Sequence, residues 1–165
     1  MYRLNPDGAS VTRIEDGATI PFDPENRNYF EYQKWIAEGN SPEPFETVQD
    51  IKGRQWNAIK AERDRRKAGG VKVGAKWFHS DDGSRIQQIG LVMMGASIPA
   101  GLQWKTMDGS FVTMTQALAT SVFGAVAASD QAIFAAAETH RVAMEASADP
   151  AAYDYSGGWQ KIYGE

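Results

Sequence analysis

"TQALATSVFGAVAASDQAIFAAAETHRVAMEASAD", Thr115–Asp149, is the stretch whose reading decides the fold. Its many alanines give it high helical propensity, Thr115 is placed to cap its start, and Pro150 ends it. At 1.5 Å per residue such a helix is roughly 45–50 Å long, more than a small sheet can cover. Leu118, Val122, Val126, Ile133, Ala137 and Met144 fall near one stripe, with Phe123 and Phe134 beside it at an interval close to three turns. Alanine buries little area per residue, so the stripe needs a mate. The preferred mate is the segment Val48–Ala68 folded back on it; the alternative is the same helix of a second copy, a homo-oligomer through Leu118–Met144.

Toward the N-terminus, "LQWKTMDGSFVTM" reads as a hairpin turning at Asp108-Gly109. "VKVGAKWF", Val71–Phe78, reads as one strand, which makes a three-stranded antiparallel sheet available. Between them, "HSDDGSRIQQIGLVMMG" reads as a helix capped by Ser80 or Asp81 and closed by Gly95, with Ile86, Ile89 and Met93 along one face. Val48–Ala68 is a further helix with Val48, Ile51, Trp56 and Ile59 apolar. Its end, "KAERDRRK", carries Arg63, Arg65, Arg66 and Lys67, which complement the macrodipole and are expected in solvent. Gly69-Gly70 reads as a hinge.

The first 45 residues form a separate module. Ala9–Ile14 and Ala18–Phe22 flank Glu15-Asp16-Gly17, a hairpin signal. A helix starts near Asn26 or Asn28 and gathers Tyr29, Tyr32, Trp35 and Ile36 on one face before Gly39 caps it. "NSPEPFETVQD" cannot continue a helix and reads as a stiff connector. The expected fold is therefore α+β: residues 1–45 as a small β-hairpin plus helix, then residues 46–165 as helix, three-stranded antiparallel sheet and long C-terminal helix. The tail "AAYDYSGGWQKIYGE" is expected to dock through Trp159 and Tyr163.

The 165 residues are 42% hydrophobic and 23% charged with a net charge of -4, and the pI is near 5.2. An acidic chain offers no surplus of cations for phosphates, so no nucleic acid partner is expected. There is no cysteine, which removes disulfides and thiol nucleophiles and suits a reducing cytoplasm. "MYRLNPDGAS" lacks a signal-peptide pattern, and no apolar run approaches the roughly 20 residues of a bilayer span, so no membrane partner is expected.

The search for chemistry nominates no catalytic residue. "FHSD", Phe78–Asp81, holds the residue types of a Ser/His/Asp site, but adjacency in sequence supplies none of the required geometry. His140 lies on the long helix near Glu138 without a ligand pattern. Two histidines and no cysteine make a zinc site improbable. "AGGVKVGAK" lacks Gly-Lys-Ser/Thr at P-loop spacing. "SDDGSR" lacks the alternating acids and later glutamate of a calcium loop. No metal and no cofactor are expected.

Two stretches resemble known families. "IPFDPENRNYFEYQKWIAEGNSPEP", Ile20–Pro44, is similar to the N-terminal module of many tailed-phage tail-fibre assembly and tail-fibre-associated proteins, with its Asn/Asp-rich turn, Tyr-rich helix and "GN-x-P-x-P" exit. Arg63–Thr115, continuing through "QAIFAAAETHRVAMEASADPAAY", is similar to an uncharacterised domain family of phage and prophage tail-fibre genes. Together the resemblances run from about Ile20 to Tyr155. They imply a small accessory protein, working in the host bacterial cytoplasm during assembly or retained on the virion tail, with no catalytic residue to carry over. The chain has no long repetitive β-rich segment and does not read as the fibre shaft.

Three functional readings follow. The first is a non-enzymatic tail-fibre assembly chaperone, with the fibre protein as partner and Tyr29, Tyr32, Trp35 and Ile36 as partner-binding residues, since aromatics dominate interface energetics. The same aromatic face also reads as core packed on the C-terminal domain, the commoner fate of such a stripe. The second is a permanent structural subunit of the tail. The third is an enzyme acting on surface glycans, for which no carboxylate pair suggests itself.

Overall fold

The computed structural model describes all 165 residues, Met1–Glu165. The fold is α+β, with four helices, small antiparallel sheets and a long C-terminal helix. The chain divides into two compact units, Met1–Ile51 and Lys52–Glu165.

In the first unit, β1 (Tyr2–Leu4), β2 (Ser10–Arg13) and β3 (Thr19–Pro21) form an antiparallel meander. The β2–β3 hairpin turns at Asp16-Gly17 as the sequence indicates. Asp16 accepts from the Ala18 N–H at 3.2 Å and pairs with Arg13, and Gly17 takes a φ of 72°. β1 is an addition to the expected hairpin. Three residues are too short to show alternation, and their register, Tyr2↔Arg13 to Leu4↔Val11, comes from pairing with β2.

Asn26 caps α1 (Arg27–Ala37) by accepting from the Asn28 N–H at 2.9 Å. The proline connector is extended but not free. The Glu43 N–H donates to the Tyr2 carbonyl, the Leu4 N–H donates to the Glu43 carbonyl, and the Arg3 guanidinium meets the Glu43 carboxylate at 2.7 Å. That parallel bridge binds the connector to β1 and places it inside the first unit.

The second unit is organised by α4 (Gln116–Ala146), which Thr115 caps by accepting from the Leu118 N–H at 3.2 Å. Its 31 residues span about 46 Å. Val122, Val126, Ile133, Ala137 and Met144 are buried and Leu118 is half-buried, as the stripe indicates. One end packs with Val71, Phe78, Leu91 and Met114; farther along, Ala137 and Met144 pack with Ile59 of α2 (Val48–Lys67). The mate is thus within the chain, and the stripe offered for a homo-oligomer is occupied. By length and composition alone α4 could cross a membrane, a correction to the expectation that no segment is apolar enough. The core helix of a globular protein meets the same criterion, and here it carries a buried stripe.

The expected three-stranded sheet is instead two separate ribbons. β4 (Val71–Val73) pairs with β5 (Lys76–Phe78), and β6 (Gln103–Lys105) pairs with β7 (Phe111–Thr113). Val71–Phe78 is not one strand, because Gly74 adopts a φ of 60° and folds the segment back on itself. The ribbons touch through the Met107 N–H donating to the Trp77 carbonyl and through Lys76 with Asp108, contacts that make no ladder.

Gly69-Gly70 is not a hinge. A Cβ on Gly69 would lie 2.6 Å from Ile162, and one on Gly70 would lie 2.2 Å from the Met107 sulfur, so both are sites of close packing. The basic end of α2 is also not simply solvated. Arg66 is buried, with its guanidinium held by Glu62, Glu165 and the Gln160 carbonyl, while Arg63 and Lys67 lie over the Phe134 ring. The C-terminal tail docks as expected: Ile162 is buried, Tyr163 packs edge-on against Trp77, and Trp159 lies 5.0 Å from His140.

Candidate interaction surface

Asp81 caps α3 (Asp82–Met94), accepting from the Ser84 N–H at 3.0 Å and from its hydroxyl at 2.7 Å. These bonds hold the Asp81 carboxyl below its ordinary range. Ser80 does not share in the capping. Its hydroxyl donates to the Lys67 carbonyl at 2.6 Å and accepts from the Gly70 N–H at 2.9 Å. With Ser80 buried and its hydroxyl already bonded, "FHSD" does not form a nucleophile–base pair but ties α2 to β4 and α3.

The sequence puts Ile86, Ile89 and Met93 on one face of α3, and the structure turns that face outward. Their exposures are 71%, 45% and 82%, while Gln88 and Leu91 are buried. The reason is a polar network that fixes the helix rotation. The Arg85 guanidinium forms a two-pronged pair with Asp130 of α4 and also donates to the Ser80 and Lys67 carbonyls. The hydrogen bond from Arg85 to Asp130 raises the Arg85 pKa, keeping the charge in place despite partial burial. Gln88 donates to the His79 carbonyl at 2.7 Å. Rotating the isoleucines inward would strand these groups, at about 1–3 kcal/mol for each buried partner left unsatisfied.

The result is an apolar stripe at i, i+3 and i+7 with nothing in the chain covering it. On the flank of the same helix, a shallow groove of about 280 Å³ is lined by His79, Ser84, Gln87, Gln103, Trp104 and Phe111. Phe111, 61% exposed, adds a second apolar group to this side of the unit.

The residues proposed from sequence as partner anchors lie elsewhere. Tyr32 is buried in the first unit with Tyr2, Val11 and Ile20, and burial raises its phenol pKa. Tyr29 and Trp35 are half-buried against that cluster, with Tyr2 meeting Trp35 edge-on at 5.1 Å. Ile36 is the one of the four on the surface, at 36% exposure. The structure gathers Tyr29, Tyr32 and Trp35 into one aromatic core, and in this fold Tyr32 is not available to a partner.

His140 is likewise occupied. One ring nitrogen meets the Tyr153 hydroxyl at 2.9 Å and the other meets the Gly157 carbonyl at 2.8 Å, fastening the tail to α4. No three His, Asp or Glu side chains converge as a group able to hold a metal ion. Periodicity marks the α3 stripe in the sequence, but it cannot say whether such a stripe faces core or solvent.

A family model described as a domain of unknown function, DUF4376, matches residues 50–157, a segment that includes the α3 stripe and all but the first residues of α2. No curated protein matches the chain. No solved structure matches it either. Because the match covers more than half of the sequence, the chain belongs to the DUF4376 family.

Proposed function

We propose that this chain is a non-enzymatic accessory protein of phage tail-fibre assembly, acting in the host bacterial cytoplasm by binding an apolar surface of the fibre polypeptide. The reading begins from the sequence resemblance and draws its main structural support from the stripe Ile86–Ile89–Met93. A helix that turns two isoleucines and a methionine to solvent, while burying a glutamine and half-burying an arginine, keeps an apolar face for something outside the chain. Covering the exposed parts of these three side chains contributes about 3–5 kcal/mol, enough for reversible capture and too little alone for a permanent complex.

The test is co-expression with a candidate phage tail-fibre polypeptide. Ile86→Asp with Met93→Asp is expected to abolish co-purification and fibre solubility while circular dichroism stays unchanged. Unchanged co-purification by the folded double variant overturns this assignment. Trp35→Ala, compared in the same assay, reads the contribution of the α1 aromatic face.

A second reading, a permanent structural subunit of the tail, is favoured by Phe123 and Val142, which stand 41% and 58% exposed on α4. Mass spectrometry of purified particles separates the two. A fixed ratio to the fibre on mature particles supports the subunit, and presence only in complexes from producing cells supports the assembly factor.

A further inference from the structure

We propose that the groove beside the free edge of β4 receives an extended acidic segment of a partner protein, which adds to β4 as a further strand. The groove has a volume of about 560 Å³ and is lined by β4, Trp77 of β5, Ala125 and Ser129 of α4, and Lys161 of the tail, among others. It does not involve the α3 stripe, and the inference holds whichever protein supplies the segment.

The backbone argument starts from register. Lys72 is opposite Trp77 in the β4–β5 ribbon, and the Trp77 carbonyl accepts from the Met107 N–H on the side away from β4. In an antiparallel pair, opposite residues both turn their peptide groups inward or both turn them outward. Lys72 therefore points its own N–H and C=O away from β5, at an edge where neither has a backbone partner. The tail covers only the beginning of that edge, with the Tyr163 N–H donating to the Gly69 carbonyl. An unpaired edge of this kind is what an incoming extended segment uses.

The charges select the segment. Lys72 and Lys161 line the groove and neither forms an ion pair, whereas its one acidic side chain, that of Glu165, is held by Arg66 at 3.0 Å and also faces Arg65. The groove is thus locally cationic in a chain of net charge -4. A lysine on a strand edge discourages pairing with a like-charged strand and favours an acidic one. Val71 with Ala125 on one face of the ribbon and Trp77 on the other supply apolar surface for alternate side chains of the added strand.

The experiment is a titration of the isotope-labelled full chain, followed by amide resonances, with a blocked hexapeptide alternating valine and aspartate. A hexapeptide alternating valine and lysine serves as the control. Saturable shifts at Lys72, Trp77 and Lys161, slower hydrogen exchange of the Lys72 amide, and weakening by salt are expected with the acidic peptide alone. Lys72→Glu with Lys161→Glu is expected to weaken binding roughly tenfold or more. Both lysines are exposed, so the variant keeps its fold. Equal binding of the lysine peptide, no saturable shift in the groove, or shifts without protection of the Lys72 amide would each overturn the proposal.

Discussion

Ile59→Ala tests the interior that joins α2 to α4. Ile59 is 0% exposed and clusters with Ala137 and Met144 of α4 and with Trp56, Tyr153, Tyr155 and Trp159. The substitution removes three carbons from a site that cannot collapse easily, because α4 is held at its middle by Arg85–Asp130 and toward its N-terminal end by the core around Val122. Substitutions of this type cost about 2–5 kcal/mol, and a midway value of about 3 is expected here. For a unit of this size that corresponds to a fall in Tm of roughly 10–20 °C.

The assay is urea unfolding followed by far-UV circular dichroism, which reports mainly α2, α3 and α4. The midpoint should fall at an unchanged denaturant slope. Ile86→Ala is the internal control, since the same chemistry at a 71% exposed site should change stability by no more than about 0.5 kcal/mol. A loss below about 1 kcal/mol for Ile59→Ala would refute intramolecular packing of α2 on α4. A loss that vanished at high protein concentration would instead assign the mate to a second copy.

Two further predictions concern the ribbons. Gly70 has a φ of 91° and lies against Met107, whereas Gly74 has a φ of 60° and open space where a Cβ would go. Gly70→Ala should therefore cost about 1–3 kcal/mol and Gly74→Ala only about 1, measured by chemical denaturation; equal costs would contradict the packing at Gly70. The Asp108 carboxyl is held well below the usual carboxylate range by the Lys76 ammonium first, then by the Ser110 and Thr106 hydroxyls. Its contribution to stability is therefore complete above its unfolded pKa and is lost only as pH falls through the lower folded value. Side-chain carboxyl resonances should show Asp108 still ionised near pH 3, where an unperturbed aspartate is mostly protonated. Protonation of Asp108 in step with unperturbed aspartates would refute the Lys76 and hydroxyl contacts.

Much of the local structure was legible in the sequence because its signals are local. Thr115, Asp81 and Asn26 cap helices through bonds to backbone only two or three residues away. The hairpins at Asp16-Gly17 and Asp108-Gly109 are set by turn chemistry, and glycine takes a positive φ at both. The buried stripe of α4 was legible for a related reason: a helix of that length with one apolar line has few other ways to shield it.

Tertiary structure alone decided which apolar faces meet the interior. Ile86, Ile89 and Met93 have the spacing of a core stripe, yet the pairing of Arg85 with Asp130, forty-five residues away, rotates them into solvent. Tyr29, Tyr32 and Trp35 read from sequence as either core or interface, and Tyr2 of β1 with Phe22 just after β3 encloses them. Arg66 belongs to a charge run that reads as a solvated helix end, and it is buried because Glu165 returns from ninety-nine residues away to pair with it. Periodicity records that a helix has an apolar side. The partner that covers that side is set by contacts distant in sequence, whose geometry exists only once the chain has folded.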